Sequence, residues 1–170
     1  MERENAGGGR PFSRPAGLGD LKELCRRLNE QGVRYVLVGG WAVAFHGRRR
    51  ATDDIDLLVD PAPENVERLR EALSYLPDRA ALEVDPGDVA SYVVVRVADE
   101  IVIDLMGHIG DVTYENAGKV FADLEGVRVP MADLDTLIAT KRGVRPQDRA
   151  DLEFLLEKRA AGVRESGQRS

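Results

Sequence analysis

The stretch VGGWAVAFHGRRRATDDIDLLVD, residues 38–60, joins an apolar strand to a helix through two glycines and then places two aspartates in a second strand. The residues before it, RYVLV, have the β-branched and aromatic composition of a strand. Gly39 and Gly40 therefore stand at a helix start, where backbone N–H groups have no helical partner and no side chain blocks their approach. That geometry suits a bound phosphate, although two glycines can equally make a sharp strand-to-helix turn.

The two aspartates of this stretch are spaced for one face of a strand. Residues two apart in a strand project to the same side, so Asp54 and Asp56 are expected to lie together. Such a pair can share one Mg²⁺ or hold two metal ions during phosphoryl transfer. Alternatively, one aspartate caps a turn and the other is solvated. The apolar residues 57–59 argue against that alternative because they indicate a largely buried strand.

A third carboxylate, Asp104, interrupts the apolar run EIVIDLMG. A lone buried carboxylate is costly unless a cation or hydrogen-bond donors compensate it, and a metal shared with neighbouring aspartates would do so. The alternative is an edge strand whose aspartate faces water.

Composition limits the class of protein. The chain has 170 residues, 43% of them hydrophobic and 32% charged, which is typical of one globular domain. We expect flexible tails over residues 1–18 and 162–170 and a single domain over 19–161. No apolar run approaches the roughly 20 residues that span a bilayer, and the N-terminus lacks a signal-peptide core. The sequence therefore predicts a cytoplasmic protein without a membrane partner.

The formal net charge of −6 argues against a general nucleic-acid coat, so a tRNA partner is not indicated although it stays possible. The arginine run at 48–50 could bind an RNA end. A set of acidic side chains could instead attract a cationic small molecule, namely Glu83, Asp85, Asp88, Asp99 and Glu100. The single cysteine, Cys25, lies on an apolar helical stripe and is predicted to be core.

The first half of the chain alternates between helical and strand patterns. Asp20 is predicted to cap a helix that ends at Asn29, and the glycine helix should close at Gly47. Pro63 suits the first turn of the next helix.

The second half begins with YVVVRVADEIVIDLM, which predicts two strands around a tight turn at Asp99 and Glu100. Either Asp133 or Asp135 is expected to cap a helix that runs to Lys141. The final helix is expected to start at Pro146 and to bury Leu152, Leu155 and Leu156. The fold class is therefore α/β or α+β, with helices packed on a small mixed sheet.

Gly39-Gly40, Asp54-Ile55-Asp56 and Asp104, in this order, resemble the nucleotidyltransferase superfamily with the DNA polymerase β type of catalytic core. The wider pattern around the glycine helix is similar to the small bacterial branch that includes antibiotic and toxin-type nucleotidyltransferases. The segment LIATKRGVRPQDRADLEFL resembles a K-x-x-x-R-x-x-D-x-x-D segment of that branch. One departure is Gly40, where many relatives have a serine whose hydroxyl contacts phosphate.

The resemblance implies a nucleotidyltransferase core with C-terminal helices and an enzyme that moves a nucleoside monophosphate from an NTP to an acceptor hydroxyl, releasing pyrophosphate. It implies that Asp54, Asp56 and Asp104 are the catalytic residues and hold Mg²⁺, with Mn²⁺ as the alternative metal. Asp104 would also help to deprotonate the acceptor. Gly39 and Gly40 would hold the β- and γ-phosphates.

Three further residues are predicted to bind the nucleotide, each with a structural alternative. Arg50 is the preferred member of an arginine run that could be merely solvated. Thr52 could instead cap the turn before the aspartate strand. Lys141 ends a helix, where the helix dipole favours any cation.

Other polar residues receive structural interpretations. Asp148 and Asp151 lie three apart on one helix face, and salt bridges to Arg145 or Arg142 explain them most simply. His46 has no partner or spacing that marks it as a base, and the role of His108 is left open. Trp41 is expected to pack in the core rather than line the nucleotide pocket.

The acceptor is not determined by the sequence, and a small molecule, a tRNA and a protein all remain open, as does the oligomeric state. The alternative function is a non-catalytic nucleotide-binding regulator or toxin–antitoxin partner that keeps the fold without turnover.

Overall fold

The computed structural model describes residues 2–4, 13–141 and 145–168. The strands are β1 (Glu2–Glu4), β2 (Tyr35–Val38), β3 (Ile55–Val59), β4 (Val94–Ala98), β5 (Val102–Met106), β6 (His108–Ile109), β7 (Val112–Thr113), β8 (Lys119–Leu124) and β9 (Val127–Ala132). The helices are α1 (Leu18–Glu30), α2 (Gly39–Phe45), α3 (Pro63–Ala72), α4 (Asp88–Ser91), α5 (Leu134–Thr140) and α6 (Pro146–Gln168), with 3-10 turns at Leu73–Tyr75 and Ala80–Glu83.

One mixed sheet organises the chain, in the strand order β1-β4-β5-β3-β2-β9-β8, and β6 and β7 form a separate hairpin. Strands β3 and β5 are parallel neighbours, while β4 runs antiparallel to β5 and β2 runs antiparallel to β3. The sheet and its helices confirm the predicted mixed α+β class.

The core lies where helix α1 and the central strands meet. Leu21, Leu24, Cys25 and Leu28 form a fully buried stripe on α1, so the prediction for Cys25 is confirmed. Every residue of β2 is buried. Burying one such leucine contributes about 2 kcal/mol, so this packing contributes substantially to the stability of the fold.

Local sequence signals predicted two of these helix starts correctly. Asp133 caps α5 by accepting a hydrogen bond from the backbone N–H of Thr136, and Pro63 begins α3. The prediction for Asp20 is wrong, because the N-cap of α1 is Gly17 and Asp20 is the third helical residue. Its carboxylate reaches back to the N–H of Gly17 at 2.7 Å.

The final helix differs from its prediction in two ways. Leu155 is fully buried, but Leu156 is 38% exposed, so the expected three-leucine stripe is wrong at that position. Helix α6 also continues to Gln168, past the domain end predicted at residue 161. Near the other end of the chain, β1 lies within the predicted N-terminal tail and pairs with β4, and half of that tail lies outside the described residues.

Among the described residues, no helix combines the length and the apolar character that a membrane crossing requires.

Candidate active site

Two of the predicted carboxylates face each other across adjacent strands. Asp56 on β3 and Asp104 on β5 are register partners in the parallel pairing of these strands. Asp104 is 7% exposed and lies on an interior strand, so the alternative of an edge-strand aspartate in water is wrong. Asp54 lies just before β3 begins at Ile55, a correction to the expectation of one strand that carries both aspartates.

A cation that the sequence analysis missed completes this group. The Arg96 guanidinium on β4 contacts Asp104 through Nε to Oδ1 at 2.9 Å and Nη2 to Oδ2 at 3.2 Å. Its Nη2 atom also lies 3.8 Å from Asp54 Oδ2. The predicted turn at Asp99 and Glu100 would place Arg96 opposite Ile103. The observed turn is centred on Glu100 and pairs Arg96 with Asp104 instead, so a shift of one residue hid this contact.

The carboxylates repel one another in a partly desolvated environment. Burial raises the pKa of Asp56 to about 7, aided by the charges of Asp104 and Asp54 and opposed by Lys141 and Arg50. Burial and the charge of Asp104 likewise raise the pKa of Asp54, although Arg96 opposes this. The nearby cations therefore compensate this negative charge incompletely.

The two glycines make room for the site's own side chains. Gly39 has a φ of +68°, and a Cβ there would clash with Asp56, whose own Cβ would lie only 2.9 Å away. A Cβ on Gly40 would lie 2.7 Å from both Arg50 Nη2 and Thr52 Oγ1. The two glycines were interpreted either as room for a phosphate or as a sharp turn, whereas in the structure the adjacent protein side chains occupy the space that a Cβ would need.

Two cavities of about 310 and 320 Å³ share Asp56, Asp104 and Arg145 in their walls. We call them the lysine lobe and the arginine lobe. The lysine lobe is also lined by Val38, Gly39, Val94, Met106, Ile109, Thr140, Lys141 and Asp148. The arginine lobe is also lined by Gly40, Arg50, Ala51, Thr52, Asp53, Asp54, Arg96 and Gln147. All of the predicted site residues therefore line one lobe or both.

The predicted nucleotide-binding cations converge on one buried carboxylate. Asp151 on α6 is fully buried, and its Oδ2 lies 3.0 Å from both Arg50 Nη2 and Lys141 Nζ. Its Oδ1 lies 3.4 Å from Arg48 Nη1. The salt bridge predicted between Asp148 and Arg145 is confirmed at 2.9 Å, but Asp151 pairs with these other cations instead.

Some polar atoms at the cavity walls lack a partner within the part of the chain that the structure describes. Thr52 Oγ1 and Arg50 Nε are buried there without a hydrogen bond. The suggestion that Thr52 caps the turn is therefore wrong, because a capping hydroxyl would bond to a backbone group. Both atoms are suited to a ligand that carries acceptor oxygens.

Several other candidates have structural roles. His46 Nε2 lies 2.9 Å from the carbonyl oxygen of Ala132, which confirms a structural role, while the His108 side chain is exposed. Asp99 is fully buried and accepts three backbone hydrogen bonds, and Asp88 is 6% exposed. Neither carboxylate is available to attract a cationic molecule. Trp41 packs partly buried against the core, as predicted.

The site's donor set is compatible with a hard divalent cation. In residues 2–4, 13–141 and 145–168, no three His, Cys, Asp or Glu side chains are already arranged as a metal site. Carboxylate oxygens are nevertheless the ligands that Mg²⁺ prefers, and the pKa of Asp56 is raised by burial and by the neighbouring carboxylates, an unfavourable charge that such an ion would compensate. The Arg96 guanidinium now bonds both oxygens of Asp104, so an ion there would share or replace this contact.

Comparisons with known proteins identify a family and a similar fold. Residues 20–155 match the family model of aminoglycoside-2''-adenylyltransferase. The crystal structure of a Thermotoga maritima protein assigned to the nucleotidyltransferases is similar, with a TM-score of 0.50, 18% identity and coverage of 90% of this chain and 93% of that one. The solution structure of the antibiotic-resistance factor ANT(2'')-Ia has a TM-score of 0.47, 16% identity and coverage of 90% and 97%. Among curated proteins, no sequence match was found.

Proposed function

We propose a specific reaction for this chain, which belongs to the aminoglycoside-2''-adenylyltransferase family and is a nucleotidyltransferase. The reaction is the transfer of AMP from ATP to a hydroxyl group of a cationic amino sugar. The acceptor oxygen forms a bond to the α-phosphorus, the bond from that phosphorus to the pyrophosphate oxygen breaks, and the hydroxyl proton leaves.

The observation that supports this reaction most directly is the pairing of Asp56 and Asp104 across β3 and β5 at the junction of the two lobes. With Asp54, these residues would hold Mg²⁺, which when bound neutralises negative charge on the transferring phosphate. Mn²⁺ has the same ligand preference and is the alternative metal.

Cations on the cavity walls are suited to the triphosphate. Arg50 and Lys141 line different lobes on either side of the aspartate pair, so a cationic side chain borders each cavity. Gly39 and Gly40 begin α2, where the first backbone N–H groups have no partner within the helix. Together with the Thr52 hydroxyl, which has no hydrogen bond in the described part of the chain, these groups match the acceptor oxygens of a polyphosphate.

Asp104 is proposed to accept the proton of the acceptor hydroxyl. It lines both lobes, so an acceptor beside the α-phosphate would lie within its reach. The contact with Arg96 keeps the carboxylate oriented toward β4 until the substrates bind.

The choice of acceptor rests on the family description and on charge. The chain carries a net charge of −6, which favours a cationic small molecule over polyanionic RNA. The exposed Asp53 and the half-exposed Asp54 at the arginine lobe offer negative charge to protonated amines.

The test is label transfer from ATP labelled at the α-phosphate, with Mg²⁺ and separate pools of aminoglycosides, tRNA and protein. We expect label in the aminoglycoside pool together with stoichiometric pyrophosphate. Asp54→Asn, Asp56→Asn and Asp104→Asn should each lower the rate by about 100-fold or more, because each removes a charged ligand or base.

The control is Glu153→Gln, an exposed carboxylate on α6 outside both lobes, which should keep the parental rate. Label in the tRNA or protein pool instead would contradict the proposed acceptor. Parental rates in the Asp54→Asn and Asp56→Asn proteins would contradict the proposed site.

A further inference from the structure

Asp151 is a buried carboxylate that contacts no solvent and lines neither lobe, yet it holds three cations. Its side chain is completely buried, and Arg48, Arg50 and Lys141 all lie within 3.4 Å of its oxygens. One negative charge therefore stands against three positive charges. Asp151 alone does not neutralise these cations, and two of them, Arg50 and Lys141, also interact with the cleft carboxylate of Asp56.

Fold stability alone gives little reason for such an arrangement. Removing charges from water costs several kcal/mol per ion, and apolar side chains of similar volume often replace a buried ion pair without loss. In the described part of the chain, neither oxygen of Asp151 has a hydrogen bond of good geometry. The carboxylate therefore interacts with its partners mainly through charge.

Two of the three cations that contact Asp151 line the cavities, one in each lobe. Arg50 lines the arginine lobe beside Gly40 and Thr52, and its side chain is 14% exposed. Lys141 lines the lysine lobe beside Gly39, and its side chain is 9% exposed. Both cations bind the same oxygen, Oδ2, so a single atom on α6 fixes one cation in each lobe.

We propose that Asp151 is a positioning residue that holds Arg50 and Lys141 in place for the polyphosphate of the nucleotide. This inference rests on the proposed function and adds an element that the catalytic aspartates do not include. Because both long side chains are already ordered, less rotamer entropy is lost when phosphate oxygens bind. Because the single carboxylate of Asp151 does not neutralise both cations, they still attract phosphate oxygens.

The third partner provides an internal control. Arg48 contacts Oδ1 of Asp151 but lines neither of the two lobes. A purely structural role for Asp151 would make all three partners equivalent. The positioning role instead predicts that Arg50 and Lys141 matter for nucleotide binding and that Arg48 does not.

The experiment measures ATP affinity directly by calorimetry in the presence of Mg²⁺, alongside the unfolding transition of each protein. Asp151→Asn should weaken ATP binding by about 10-fold, a loss comparable with one charged interaction, and raise KM more than it lowers kcat. Arg48→Gln should change affinity by less than about twofold. The matched control Asp99→Asn removes an equally buried carboxylate outside the site, so it should lower stability and leave affinity unchanged.

A double-mutant cycle separates positioning from a general structural effect. If Asp151 acts through its lobe-lining partners, Asp151→Asn should cost little further affinity in a protein that already carries Arg50→Gln and Lys141→Gln. Full additivity would overturn the inference. If Asp151→Asn does not fold, the ATP affinity of Asp151→Glu is measured instead, because this variant keeps the negative charge but displaces the carboxylate oxygens. A weakening of about threefold or more supports positioning, and parental affinity overturns it.

Failure of the inference is distinguishable from failure of the proposed function. A parent protein that binds no ATP and transfers no label contradicts the proposed function itself. A parent that binds and transfers, with Asp151→Asn equal to it in affinity, contradicts only the positioning role.

Discussion

Gly39 is packed directly against Asp56: a Cβ added to this glycine would lie 2.9 Å from the Asp56 Cβ and closer still to its carboxylate. The backbone turn at Gly39 therefore also determines where the side chain of Asp56 can lie. Changing the glycine displaces the carboxylate as well as straining the backbone.

Gly39→Ala should lower the transfer rate by about 100-fold, because the new methyl group forces Asp56 out of its present position. The left-handed backbone adds a stability loss of about 1–2 kcal/mol. The matched control is Gly32→Ala, where φ is +65° but nothing lies within 4 Å of the new Cβ. It should lose similar stability in urea unfolding and keep the parental rate, and equal rate losses in both variants would contradict the role of the clash.

Arg96→Gln should make the protein more dependent on divalent metal. Without this guanidinium, Asp54 and Asp104 lose a compensating charge, so the melting temperature should fall in EDTA. Added Mg²⁺ then no longer competes with the Arg96 guanidinium for these carboxylates, so it should raise the melting temperature more than it does in the parent. Arg128→Gln, which changes an exposed arginine over the Phe121 ring, is the control. A smaller Mg²⁺ effect in Arg96→Gln than in the parent would contradict the competition.

Much of the fold could be predicted because its signals are local. The period of two in the strands, Pro63 at a helix start and the turn between β4 and β5 all act within a few residues. The order of glycines and aspartates was sufficient for the superfamily resemblance, which the comparisons support.

The roles that were missed depend on contacts between distant segments. Asp151 was assigned to partners three or more residues away on its own helix face or in the preceding turn, since that is the local rule. Its actual partners Arg48 and Arg50 come from the segment before β3, which only the packing of α6 against this segment brings close. Likewise, no local pattern shows that side chains fill the space beside Gly39 and Gly40.

Asp56 should make the stability of the metal-free protein depend on pH. Its pKa is raised from 3.8 to about 7 in the folded state. Between these values the folded protein keeps a proton that the unfolded chain has lost, so this residue lowers the free energy of unfolding as pH rises toward 7. In EDTA, Asp56→Asn should therefore gain stability relative to the parent across this range and reach a plateau of about 4 kcal/mol above pH 7.

The measurement is urea unfolding of parent and Asp56→Asn proteins at a series of pH values from 5 to 8. Titrating groups that do not interact with Asp56 cancel in the difference, so the difference reports Asp56 together with its neighbours Asp54 and Asp104. A difference that stays constant over this range would contradict the assignment of the raised pKa to Asp56.

Asp104→Asn should separate nucleotide binding from turnover. Asp54, Asp56 and the cations of both lobes remain to hold Mg²⁺ and ATP, so the ATP affinity should stay within about fivefold of the parent. Pyrophosphate release should fall by about 100-fold or more, because the group proposed to accept the hydroxyl proton is gone. Measuring both quantities on the same preparations decides whether Asp104 has this separate role.

The amide in this variant can still accept one hydrogen bond from Arg96, so the β4–β5 pairing and the fold should persist. Joint loss of ATP affinity and pyrophosphate release would place Asp104 among the groups that hold the nucleotide and contradict its separate role. A parent that binds ATP tightly but releases no pyrophosphate with any acceptor pool would instead support a regulatory nucleotide binder. In that case Asp104→Asn should alter only affinity, because a protein without turnover has no acceptor proton to remove.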